Sequence, residues 1–134
     1  MLKEHEILDL FGKAIIKNVF DLELASNSKQ IDDFLSQNYF SKLEDVEKQA
    51  LRKDLEYLLF NKIYYSIERF LYNFDHIEKN FTITYKADGR NIDIVEMYTE
   101  GLFSELFLDS GWVFRYSEKL TDEMKIMIKE KLDW

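Results

Sequence analysis

The chain has 134 residues, no cysteine and no proline, which excludes disulfides and thiolate zinc sites. Its 26 acids against 18 bases give a formal net charge of −8, and so acidic a chain lacks the basic footprint that direct binding to a nucleic-acid backbone requires. Glu4, Glu6, Asp9 and Lys13 interrupt the apolar residues of the N-terminal stretch, and no run approaches a membrane span, so the expectation is a cytoplasmic protein with no membrane contact, folded as a single domain over 1–134.

In chain order, Ile7, Leu8, Phe11, Ala14, Ile15, Val19 and Leu22 recur at three- and four-residue steps and predict a first helix from Glu4 to about Leu24. Gly12 inside it costs about 1 kcal/mol relative to alanine. Ser26-Asn27-Ser28 predicts a break, followed by a short helix from about Lys29 to Gln37. Ser41 with Glu44 forms a capping-box pattern for a third helix that could extend from Lys42 to about Asp75, with neither proline nor glycine inside it.

After Asn80 the period shortens. Phe81, Ile83 and Tyr85 alternate with Thr82 and Thr84, Asp88-Gly89 is a hairpin signal, and Asn91 to Tyr98 reads as the return strand. Thr99 to Leu108 fits either a short helix or a third strand. Trp112 to Tyr116, WVFRY, reads as a further strand after the Asp109-Ser110-Gly111 turn. Thr121 caps a last helix whose apolar stripe is Met124, Met127, Ile128 and Leu132, with Lys129 and Lys131 suited to its negative end. The expected fold is α+β: a helical layer over 1–80 with one long helix, an antiparallel meander of three or four strands over 81–118, and a C-terminal helix over 120–133.

The stretch Tyr57 to Phe74, YLLFNKIYYSIERFLYNF, has seven aromatic residues in eighteen. On a helix at ~100° per residue, most of them fall with Leu59, Ile63, Ile67 and Leu71 in one broad core-facing arc. Leu58, Tyr65 and Tyr72 lie outside it, seven residues apart, and form a separate ridge. The simpler expectation is that this ridge packs on the first helix. The sharper one is that it is exposed and grips another chain, since tyrosine joins a large apolar body to a polar tip.

Catalytic signals are sparse. His5 and His76 stand apart, neither in a metal-ligand spacing; no serine lies in a nucleophile motif, and the glycines form no phosphate-binding pattern. No metal, cofactor or catalytic residue is therefore expected, and the reading is non-enzymatic. One distribution is more telling. From Asp88 to Asp109, six acids face Arg90 alone, −5 in 22 residues, interspersed with Tyr98, Phe103 and Phe107. Acids among aromatics suit a basic protein surface, although a polar sheet face partly neutralised by Arg115 would look the same.

The function expected from these features is binding of a basic protein, most concretely as a bacterial immunity protein that inhibits a toxin domain by covering its active site. The contact residues are Asp93, Glu96, Tyr98, Glu100, Glu105 and Asp109, with Tyr65 and Tyr72 as a second set. Alternatives are a structural or regulatory adaptor or chaperone that dimerises through Leu58, Tyr65 and Tyr72, a small-molecule enzyme without a recognisable motif, and a nucleic-acid mimic.

Overall fold

A computed structural model of the chain describes residues 2–37, 40–74, 80–87, 89–97, 102–106 and 111–131. The elements are α1 (Glu4–Ile15), a π-helical turn (Ile16–Phe20), α2 (Asp21–Leu35), α3 (Asp45–Tyr72), β1 (Thr84–Ala87), β2 (Arg90–Asp93), α4 (Ile94–Met97), a 3-10 turn (Leu102–Glu105), α5 (Trp112–Tyr116) and α6 (Asp122–Lys131). The protein is mostly helical, with a two-stranded antiparallel sheet and a C-terminal helix.

The first two predicted helices are one helical segment. Residues 15, 16, 20 and 21 all keep right-handed helical dihedrals, so the chain turns without a break from α1 into α2. The buried positions Gly12, Ile16, Phe20 and Leu24 step by four. Such a series runs ahead of 3.6 residues per turn by ~40° at each step. The wider π turn takes that drift back and keeps Ile16, Phe20 and Leu24 on the core side. Ser26-Asn27-Ser28 does not break the helix, because Leu24 and Ile31, both buried, hold α2 in place across it.

The start of α3 differs from expectation by one turn. The Leu43 amide bonds to the Phe40 carbonyl at 3.1 Å, closing a tight turn, and Glu47 reaches back to accept the Glu44 N–H at 3.4 Å. The capping pair is thus Glu44 with Glu47 rather than Ser41 with Glu44. Phe60, Ile63, Ile67 and Leu71 give α3 its buried face, and Phe60 meets Phe20 edge-on at 5.8 Å.

The hairpin forms around the predicted turn, with Gly89 at φ 71° and the register Thr84↔Asp93 to Ala87↔Arg90. Its strands are shorter than predicted. β2 stops at Asp93, whose carboxylate accepts the Val95 N–H at 2.9 Å and the Thr82 hydroxyl, starting α4 where the return strand was expected to continue. Among the described residues no third strand is found.

WVFRY, read as a strand, is the helix α5. In a strand, Trp112 and Val113 would point to opposite faces, yet both are wholly buried in the same cluster. A helical turn closes its own backbone bonds, Arg115 N–H to Gly111 at 3.0 Å and Ser117 N–H to Val113 at 3.1 Å, so it needs no neighbouring strand. Trp112 lies directly on Gly12 and edge-on to Phe11, 5.9 Å between ring centres. Its indole Nε1 is buried without a hydrogen-bond partner among the described residues, so shape rather than polarity holds the ring.

Two polar ties fasten the same region to α1 and α2. Arg115 pairs with Asp9 at 3.0 Å. Asp21, the buried carboxylate among the described residues, accepts the Ser117 hydroxyl at 2.6 Å and the Glu118 N–H at 2.9 Å. Thr121 caps α6 as expected, accepting the Met124 N–H at 3.2 Å.

Gly12 has no room for a side chain: a Cβ there would run into the Trp112 ring. Gly12→Ala should therefore lose stability by about 1–3 kcal/mol through overpacking, against a helix-propensity gain of at most about 1 kcal/mol, as read from the urea midpoint. Asp21→Ala should lose about 1–3 kcal/mol in the same measurement by leaving donors without an acceptor.

Candidate functional site

The ridge on α3 is exposed. Leu58 is 51% accessible, Tyr65 46% and Tyr72 41%, so it does not pack on the first helix as the simpler expectation had it. The physical reason is angular. Tyr65 and Ile67 lie about 200° apart at ~100° per residue, and Ile67 points into the core, so the ridge is the outward stripe of α3. Phe70, assigned by its angle to the core arc, is 57% exposed and meets Phe74 edge-on at 5.1 Å.

The ridge lies among polar side chains of mixed sign. Lys62, Ser66 and Arg69 flank it on the side of α2, and with Leu58, Asn61 and Tyr65 they line a shallow depression. A second depression, between α2 and α3, joins Val19, Glu23 and Asn27 to Leu59, Lys62 and Ile63. Asn61 and Glu68, both half-buried, flank the ridge on its other side. The Tyr64 hydroxyl beside it donates to Glu68, and burial first, then the Glu68 carboxylate, pushes its pKa well above the usual 10.

The acidic window is only partly placed. Tyr98, Glu100 and Asp109 lie outside the described residues, as do Asp88, His76, Phe107 and the end of the predicted C-terminal helix, and of the Glu96 side chain nothing is described. Glu105 is half-buried at the end of the 3-10 turn. Asp93 is engaged in starting α4. Its carboxylate thus serves the fold, a role that its place in an acidic run did not signal. Residues 102–105 form a 3-10 turn within the ambiguous 99–108 segment.

An acidic site that the sequence reading missed lies between α3 and α6. A cleft of about 390 Å³ is lined by Lys53 and Glu56 from α3 and by Glu123, Met124, Ile126, Met127 and Glu130 from α6. Met124 is buried, Met127 half-buried and Ile126 exposed at the lip. Glu123 and Glu130 are exposed and make no ion pair among the described residues, whereas Glu56 pairs with Arg52 at 3.6 Å, a guanidinium that also binds Asp32. The signal was present in the spacing: Glu123, Met127 and Glu130 recur at helical steps on one face of α6. That α3 would supply Glu56 opposite them is long-range information.

His5 is exposed in the first turn of α1, and among the described residues no group of three or more His, Asp or Glu is arranged to hold a metal ion. Among them, too, no helix is long and apolar enough to cross a membrane. No family model, curated protein or solved structure matches the chain at a significant level, so the functional reading rests on its own residues.

The Tyr64 environment sets a pH dependence. The folded state holds a proton that the unfolded chain releases near pH 10. The stability this contributes is complete below pH 10 and falls as pH rises beyond it. Tyr64→Phe removes that part, so the alkaline loss of stability seen in urea titrations should be shallower in the variant than in the wild type.

Proposed function

We propose that this chain is a non-catalytic binding module that masks a basic protein, most concretely an immunity-type inhibitor of a toxin domain. The observation that carries the reading is the cleft between α3 and α6, with methionine side chains at its floor and Glu56, Glu123 and Glu130 around it. A lysine or arginine side chain suits such a place chemically. Its methylene stem lies on the methionines and its charged head meets the carboxylates. The overall charge of −8 supports the same partner class, because a negative field speeds the encounter with a cationic surface before short-range contacts form. Methionine adds adaptability, since its unbranched, polarisable side chain fits surfaces of varied shape. Inhibition then requires no bond-making: the bound module covers the partner's cleft and excludes its substrate. The acids Glu96, Glu100, Glu105 and Asp109 with Tyr98 extend the contact in this proposal, and Asp93 contributes charge while holding α4.

The test is affinity capture from the protein's own cells, with the product of the neighbouring open reading frame included, followed by stopped-flow association with the captured protein. A basic partner released by salt is expected. Glu123→Lys with Glu130→Lys should slow association about tenfold and flatten its salt dependence, as charge steering requires; reversal at Glu96, Glu100 and Glu105 tests the loop acids in the same assay. On-rates indifferent to both sets of changes, or turnover of a substrate by the purified chain, would end the proposal.

A further inference from the structure

The cleft-facing side of α6 carries a pattern with a regular spacing. Glu123, Ile126, Met127 and Glu130 follow one another at steps of three, one and three, so at ~100° per residue they share an arc of about 100°. The two acids fall nearly on one line along the axis, about 10 Å apart at ~1.5 Å per residue. Ile126 and Met127 lie between them in height, one to either side of that line, and all four line the cleft. Ile126 is 59% exposed, a large apolar side chain at the lip. Glu123 and Glu130 are exposed, and neither makes an ion pair among the described residues. Glu130 also stands in the last turn of α6, where a carboxylate opposes the helix dipole and costs stability.

Two carboxylates so far apart cannot close on one ammonium or guanidinium, whose charge-assisted bonds are about 3 Å long. We infer that the cleft takes an amphipathic helix of the basic partner, laid along α6, with lysine or arginine at two positions seven residues apart and apolar residues at the third and fourth places after the first. This guest specifies the masking role proposed above and rests on it. The argument is complementarity of charge and of height. A helix rises equally on both sides of the contact, so its first and eighth residues come level with Glu123 and Glu130, and the apolar pair comes level with Ile126 and Met127 and covers them. The pattern on α6 reads the same in both directions, so the guest fits parallel or antiparallel. An extended segment does not fit: residues three apart span about 10 Å but point to opposite faces. Glu56 is already held by Arg52 at 3.6 Å, which leaves Glu123 and Glu130 to make the contact. Lys53, exposed on the α3 wall and without an ion pair among the described residues, repels a guest that is basic all round.

The probe is a synthetic, end-labelled, alanine-rich peptide of about 20 residues, long enough to be helical in water, with two lysines seven apart and two leucines between them. A control of the same composition moves the second lysine to the fifth place after the first, about 140° around the helix. Fluorescence anisotropy with the full chain at low salt should show the first peptide binding about tenfold more tightly than the control. Glu123→Gln and Glu130→Gln should each weaken it by about tenfold, as loss of one charge contact requires, and Ile126→Ser should weaken it at an unchanged urea midpoint. Glu123→Lys with Glu130→Lys should bind instead the peptide whose lysines are replaced by glutamates. Equal binding of both peptides that is still lost in Glu123→Gln and Glu130→Gln would overturn the helical guest while leaving the cleft a place for single cations. Binding of neither peptide, or binding indifferent to both glutamates, would overturn it too, and the association rates of the captured partner then judge the masking role separately.

Discussion

The contact between Trp112 and the bare backbone of Gly12 is the constraint on which the rest of the structure depends. The indole occupies the space of the missing side chain, and with Phe11 edge-on beside it, the ring brings residues a hundred positions apart into van der Waals contact. The polar ties Arg115–Asp9 and Ser117–Asp21 follow from that approach, since each lies within three helical turns of it. Hydrophobic burial supplies the attraction and the polar pairs supply the register. Together they fasten α5 and the start of α6 to the N-terminal helical segment.

That fastening decides what remains outside. With α1, the π turn and α2 on one side and the C-terminal elements closing the cluster, the core takes one face of α3, through Phe60, Ile63, Ile67 and Leu71. The opposite face carries the exposed Leu58, Tyr65 and Tyr72. The same closure lays α6 beside the first half of α3 and creates the acid-lined cleft. The two surfaces are therefore products of one packing arrangement, yet their chemistry diverges. One offers carboxylates over methionine, the other aromatic rings with cations on a single flank.

The aromatic helix shows how far periodicity carries. The angular separation of Leu58, Tyr65 and Tyr72 from the core arc was legible in the sequence, because it follows from helix geometry alone. Whether that second stripe met α1 or solvent was not, because two helices of suitable apolarity compete for each free face and only the assembled core decides between them. Phe70 illustrates the same limit: its angle suits the arc, yet it is exposed while Leu71 beside it is buried. The cleft was half legible, since the α6 acids share a face by spacing while Glu56 arrives from another element.

By itself the sequence determined the helices with strong three- and four-residue periodicity, the hairpin turn at Gly89, the Thr121 cap and the acidic balance, all of which arise from contacts within a few residues or from composition. Only the tertiary structure decided that Ser26-Asn27-Ser28 stays helical, that WVFRY folds as α5 and that Asp93 ends a strand. β-branched and aromatic residues favour a strand only when a neighbouring strand takes up the backbone hydrogen bonds. At Trp112–Tyr116 no such ladder forms, and the backbone bonds to itself while the indole enters the notch at Gly12.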